Sequence, residues 1–139
     1  MSERETIEKI LGMKRIAVVG LSSNPERPSF MVASYLKGKG YEVIPVNPKI
    51  SEWEGKRSYP DLESIPKGAD VVCIFRKPEE VQPVVASAIK IGAKAVWMQE
   101  GITDARSAEA AQKAGILVVM DRCMKKESEW LERKGTLAS

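Results

Sequence analysis

The sequence predicts an α/β protein: a three-layer, doubly wound sandwich with a mainly parallel sheet of about five strands and helices on both faces. Three observations predict it. Five short apolar runs, IAVV (16–19), VIPV (43–46), VVCIF (71–75), AVWM (95–98) and ILVVM (116–120), are rich in β-branched side chains and do not alternate. Strands covered on both faces read this way. Helical patterns fill most of the intervals, and the connections are short, as in crossovers that wrap a parallel sheet.

In chain order, Ser2 and Glu5 have capping-box spacing ahead of Ile7, Ile10 and Leu11, which predicts a first helix. IAVV follows as the first strand. Pro28 can open the next helix in its first turn and Gly38 can close it. VIPV is the second strand, and its Pro45 demands a sheet edge or a strand end, because proline cannot donate to a ladder. The stretch 49–68, KISEWEGKRSYPDLESIPKG, reads as a loop with one short edge strand near Lys56–Tyr59. VVCIF is the expected central strand. After it, Val81, Val84, Val85, Ala88 and Ile89 form a helical stripe, and Pro83 fits that helix only in its first turn. An alanine-rich helix over 105–114 has Asp104 or Thr103 as its cap and Gly115 as its terminator. A final helix begins at about Met124.

The composition bounds the function. The chain has 139 residues, 43% hydrophobic and 29% charged, and reads as one domain over 1–139. Basic and acidic residues number 22 and 19, a formal +3, with the signs interspersed, so no nucleic-acid partner is expected. No apolar run is long enough for a membrane span, and the charged start MSERETIEKI does not resemble a secretion signal. The expected location is the cytoplasm. Cys73 and Cys123 have no metal-ligand spacing, and there is no histidine. That absence excludes a Ser-His-Asp triad, a Cys-His pair and a phosphohistidine intermediate. The expected oligomeric state is open; Trp53 or Trp130, if exposed, would mark a subunit contact, as in a homodimer.

In an open parallel sheet, ligands bind outside the carboxyl ends of the strands, where the strand order reverses. The first such turn, within AVVGLSSNPERPS (17–29), offers backbone amides, Ser22 and Ser23 to an anion at the start of the next helix. Arg27 adds a planar fork suited to phosphate oxygens. Gly20 is the turn's only glycine, so the G-x-G-x-x-G dinucleotide fingerprint is absent. An NAD site wants a carboxylate at the end of the second strand, and this chain has Asn47, Pro48 and Lys49 there. A cation suits a phosphorylated ribose instead: the 3′-phosphate of coenzyme A or the 2′-phosphate of NADP. Arg76 and Lys77 would stand at the mouth of the crevice, with Phe75 in the core or against an adenine or pantetheine arm. Gln99, Glu100 and Gly101 could reach the distal end of a ligand. Cys73 reads as a buried hydrophobe. Cys123, at a helix start, could be a reactive thiol if Arg122, Lys125 or the helix itself lowered its pKa.

AVVGLSSNPERPS, YEVIPVNPKISEWEGKRSYPDLESIP, VVCIFRKPEEV, GAKAVWMQEG and DRCMKKE together resemble the small single-domain CoA-binding protein family, which is similar to the CoA-binding domain of the succinyl-CoA synthetase alpha subunit. The resemblance runs from about Ile7 to Trp130, and PVNPK and DRCM are its most specific parts. It implies a Rossmann-like fold with coenzyme A in the crevice. By position, Gly20, Ser22 and Ser23 would hold the pyrophosphate, with Arg27 and Ser29 bordering it. Asn47, Pro48 and Lys49 would lie beside the phosphorylated ribose, and Phe75, Arg76 and Lys77 would line the adenine or pantetheine side. Without histidine, the synthetase's phosphohistidine step has no counterpart here. The expectation is non-catalytic binding of coenzyme A or an acyl-CoA. The alternatives are an NADP-dependent oxidoreductase, and a redox role in which Cys123 forms a mixed disulfide with coenzyme A.

Overall fold

The computed structural model describes residues 1–135. Its elements in chain order are α1 (Glu3–Leu11), β1 (Arg15–Val19), α2 (Pro28–Gly38), β2 (Glu42–Val46), β3 (Glu52–Trp53), β4 (Lys56–Arg57), β5 (Val71–Ile74), α3 (Pro78–Lys90), β6 (Ala95–Met98), α4 (Ala105–Lys113), β7 (Leu117–Val119) and α5 (Met124–Arg133). A 3₁₀ turn, Leu62–Ser64, precedes β5. β2, β1, β5, β6 and β7 form a five-stranded sheet in that order, every neighbouring pair parallel. This is the Rossmann-like sandwich the sequence predicts.

Two apolar clusters cover the sheet. Alternate strand residues divide between them: Ile16, Val18, Val71 and Cys73 face α1, α2 and α5, while Ala17, Val19, Val72 and Ile74 face α3 and α4. Apart from the charged residues that open β1 and β2, Arg15 and Glu42, the strands of this sheet are therefore apolar along their length, because both faces are covered. Asp70 ties the far end of the sheet together. Its carboxylate accepts the Arg15 amide at 3.0 Å, and its carbonyl accepts the Lys94 and Ala95 amides.

The helix boundaries follow their caps. Ser2 and Glu5 form the reciprocal capping box of α1, and the Asp104 carboxylate accepts the amides of Arg106 and Ser107 at the start of α4. α2 begins at Pro28 and ends at Gly38; the left-handed residue that turns the chain is Gly40, two positions later. α3 differs from expectation. It starts at Pro78, so Pro83 lies inside the helix rather than in its first turn. The amide that Pro83 lacks would have bonded the carbonyl of Glu79, an exposed first-turn residue.

Pro45 lies on β2, the outer strand, as its missing donor requires. Its carbonyl points away from the sheet and accepts the Tyr59 amide at 3.0 Å, and the Tyr59 carbonyl accepts the Asn47 amide at 2.9 Å. The expected single edge strand is instead a small antiparallel hairpin, β3–β4, followed by the bridge between Tyr59 and Val46. Trp53 and Trp130 are not exposed markers of a subunit contact. Trp53 is buried edge-on against Phe30, and half-buried Trp130 lies 4.2 Å beneath the Arg4 guanidinium. No helix among the described residues is long and apolar enough to cross a membrane.

Candidate functional site

The winding reverses between β1 and β5. From β1 the chain crosses through α2 to β2 on one side, and the chain then returns to β5 on the other. The turn after β1 is fastened on both sides: the Gly20 amide donates to the Val46 carbonyl, and the Phe75 amide donates to the Val19 carbonyl, each at 2.9 Å. Gly20 has φ +89°, and a Cβ built there would fall 2.1 Å from the Phe75 carbonyl oxygen. No side chain fits in that space. The single glycine of the turn is thus required by the close approach of two strand ends.

A cavity of about 440 Å³ opens over this junction. Gly20, Ser22, Arg27 and Ser29 line one wall, Phe75, Arg76 and Lys77 the other, and Ile102 the outer end. The loop that carries the first wall is built from its own side chains. The Ser29 hydroxyl accepts the Ser22 amide, the Ser22 hydroxyl accepts the Asn24 amide, and the Asn24 side chain accepts the Glu26 amide, each at 3.0 Å. Each serine keeps its own O–H as a donor. Ser23 is exposed and lies outside the cavity lining.

A narrower apolar cleft of about 200 Å³ adjoins the cavity, lined by Val46, Pro48, Leu62, Pro83 and Val84. Arg76 lines both spaces. Among the described residues no ion pair involves Arg27, Lys49 or Lys77, and Arg76 has only a 3.8 Å approach to Glu80. Exposed Lys49 stands beside Pro48, with its amide held at 2.9 Å by the Asn47 side-chain oxygen. Asn47 itself is buried, and its side-chain amide donates to the Leu21 carbonyl at 2.9 Å. It therefore joins the end of β2 to the turn after β1, with both ends of its amide engaged inside the protein.

Helix starts divide into two groups. α1 and α4 are capped by their own side chains. α2, α3 and α5 have Arg27, Lys77 and Cys123 at the N-cap, none of which bonds the first turn through its own side chain, although at α5 Gln99 accepts the Met124 amide instead. At α2 no side chain caps the first turn, and with Arg27 and Lys77 beside it that helix start has the character of an anion-binding edge, whereas the Glu80 amide of α3 is already bonded to the Lys77 carbonyl.

The residues after β6 and β7 are mostly structural. Buried Gln99 donates to the Cys73 sulfur at 2.8 Å and accepts the Met124 amide at 3.2 Å, which fixes the start of α5. Burial pushes the Cys73 thiol well above the usual range, with the Gln99 bond acting in the opposite direction. Glu100 is held by Lys126, at 3.1 Å to both oxygens. Asp121, itself left-handed at φ 57°, accepts the Gly101 amide at 2.7 Å. Cys123 is half-buried at the N-cap of α5. Of the groups expected to activate its thiol, Arg122 instead pairs with Glu3 at 2.6 Å and Glu127 at 3.4 Å. The Lys125 ammonium lies over the Tyr35 ring, so only the helix start itself remains.

The structure therefore brings Gly20, Ser22, Arg27, Ser29, Phe75, Arg76 and Lys77 into one cavity and places Pro48 in the adjoining cleft. Asn47 supports the pair from beneath, and Ser23 and Lys49 stay at the rim. Sequence reasoning missed Ile102, Leu62, Pro83 and Val84. Ile102 had a signal, directly following the Gly101 turn, whereas the others come from a loop and a helix face with no local mark of a site.

A parallel sheet with an open, cation-bordered crevice at its switch point is the architecture in which nucleotide-type ligands bind in doubly wound folds. Residues 14–129 match the family described as CoA binding domain, and the chain belongs to that family. It is similar to the uncharacterized protein YneT of Bacillus subtilis, 37% identical over 124 residues, covering 89% of this chain and 92% of that one. It is also 29% identical over 117 residues to the acetate–CoA ligase (ADP-forming) II of Archaeoglobus fulgidus, covering 76% of this chain but only 17% of the ligase. A solved structure of a hypothetical protein from Pyrococcus horikoshii superimposes with a TM-score of 0.90 at 42% identity, covering 94% of this chain and 93% of that one.

Proposed function

We propose that the chain binds coenzyme A, free or acylated, in the crevice and does so without catalysing a reaction of its own. The observation that carries this reading is the continuity of the two spaces through Arg76. The cation-bordered cavity over the uncapped start of α2 suits the pyrophosphate, with Arg27, Ser22 and Ser29 as its donors. The apolar cleft at Pro48 and Val84 suits the adenine, and exposed Lys49 at its rim suits the 3′-phosphate. Phe75 and Ile102 border the exit for the pantetheine arm.

Calorimetric titration with coenzyme A, dephospho-CoA, NADP and NAD tests the proposal. Dephospho-CoA is expected to bind at least about 1 kcal/mol more weakly, the cost of one charge-assisted hydrogen bond. Lys49→Ala is expected to remove that difference while leaving dephospho-CoA binding unchanged. NADP binding without coenzyme A binding would replace the proposal with a reductase reading.

A second reading rests on Cys123, half-buried at the N-cap of α5. Its thiolate would attack the disulfide of oxidised coenzyme A, forming a protein–CoA mixed disulfide and releasing one coenzyme A thiolate. Mass spectrometry after incubation with CoA disulfide tests it; without an adduct at Cys123 the reading fails.

A further inference from the structure

A second cavity, about 380 Å³, lies on the outer edge of β2 and shares no lining residue with either space of the crevice. Its volume falls within the range of roughly 300–1,000 Å³ typical of small-molecule sites. Ile44, Pro45 and Ile65 give it an apolar floor, and Tyr59 stands at its wall with the Arg57 guanidinium 5.3 Å from the ring centroid.

Its charge is one-sided. Arg15, Lys56, Arg57 and Lys67 line it, against the single carboxylate of Glu42. That carboxylate is already taken by Arg15, which also donates to the Gly68 carbonyl at 2.8 Å. Among the described residues, no ion pair involves Lys56, Arg57 or Lys67. The bonds to Glu42 and Gly68 fix the Arg15 guanidinium, whose Nε is buried without a hydrogen-bond partner, so Lys56, Arg57 and Lys67 are the cations left open to the cleft. Gathering like charges around a concave, partly apolar surface costs free energy unless a counter-charge arrives.

We propose that this cleft is a second ligand site, for a small planar anion: an aromatic ring bearing a phosphate or carboxylate. The ring lies on the apolar floor beside Tyr59, and the acid group meets Arg57, Lys56 and Lys67. A bare inorganic anion would leave the floor unused, and a neutral ring would leave the cations unpaired. The site also touches the crevice through the backbone. Tyr59 donates to Pro45 and accepts from Asn47, and Asn47 holds the turn after β1.

The test uses AMP as the probe, titrated into the full chain with and without saturating coenzyme A. AMP is expected to bind in both cases. With the crevice filled by saturating coenzyme A, an Arg57→Glu, Lys67→Glu double variant, folded by circular dichroism, is expected to lose at least tenfold in AMP affinity, and its coenzyme A affinity is expected to be unchanged. Inorganic phosphate is expected to bind at least tenfold more weakly than AMP. The proposal is overturned if coenzyme A displaces all AMP, if the double variant binds AMP as the parent does, or if millimolar AMP gives no heat. Phosphate binding equal to AMP would overturn the planar part. The crevice variant Lys77→Glu reads the cleft even where coenzyme A itself does not bind, so failure of the coenzyme A reading stays distinguishable from failure of this one.

Discussion

Replacing Gly20 by alanine adds one methyl group, and the geometry sets what that group must cost. The new Cβ would fall 2.1 Å from the Phe75 carbonyl oxygen and 3.1 Å from its carbon, both backbone atoms that no rotamer change can move. Relief requires the ends of β1 and β5 to separate by more than about 1 Å to reach an ordinary contact, in an interior packed like a crystal. The backbone at φ +89° adds the strain of a left-handed residue, about 1–2 kcal/mol. Together these give a loss of about 3–5 kcal/mol, at the upper end of single substitutions. For a chain of this size that lowers Tm by roughly 10–20 °C. Two glycines serve as controls. Gly92 has φ +73° with nothing within 4 Å, so Gly92→Ala carries the strain alone. Gly38 is helical with open space around it, so Gly38→Ala is expected to stabilise by about 0.5–1 kcal/mol. Urea unfolding of the three variants gives the ranking. If Gly20→Ala costs no more than Gly92→Ala, the close approach of Phe75 does not explain this glycine.

Asn47→Ala removes one buried and one half-buried hydrogen bond and is expected to cost about 2–3 kcal/mol, since the Leu21 carbonyl and Lys49 amide lose their partner. It should also weaken coenzyme A binding, and calorimetry showing unaltered affinity would separate Asn47 from the site. The Asp70 carboxyl is held below its usual range, first by the Arg15 amide and then by Lys94. A lowered folded pKa contributes stability that is present above the unfolded value and is lost as the pH falls through the folded one. Asp70→Asn should therefore flatten the acid side of the stability profile below about pH 4, the ordinary carboxylate range. An unchanged acid slope in urea midpoints against pH would show that Asp70 does not set it.

The strands of the main sheet were legible because both their faces are covered, leaving short unbroken apolar runs with no helical period. β3 was not legible: two residues, Glu52 and Trp53, have no period, and Trp53 is placed by Phe30 of α2 rather than by its neighbours. Pro83 misled because a proline inside a helix is costly on average. Here Pro78 fixes the start, and the carbonyl left free belongs to exposed Glu79. For the site, Gly20, Arg76 and Lys77 could be read because residues directly after strands in this architecture border the crevice. Leu62 and Val84 could not, since they reach the cleft through tertiary packing alone. Asn47 carried a signal of position but not of role. Only the structure shows its amide turned inward to Leu21 and Lys49.

The uncapped start of α2 makes the link between stability and binding measurable. Arg27 has φ -80° and ψ 143°, the extended conformation that a capping serine adopts, yet its side chain accepts nothing from the first-turn amides. A serine at 27 would accept a first-turn amide and gain about 1 kcal/mol over alanine at the same position. Both replacements remove the same cation, so their difference isolates the amides. If those amides hold the pyrophosphate, Arg27→Ser must be more stable than Arg27→Ala and bind coenzyme A more weakly, because its hydroxyl occupies the donors the ligand needs. The two effects should be of similar size, about 1 kcal/mol each, since the same hydrogen bond is traded between protein and ligand. Equal affinity in the two variants, with the stability gain present, would place the anion elsewhere and leave Arg27 acting through its charge alone.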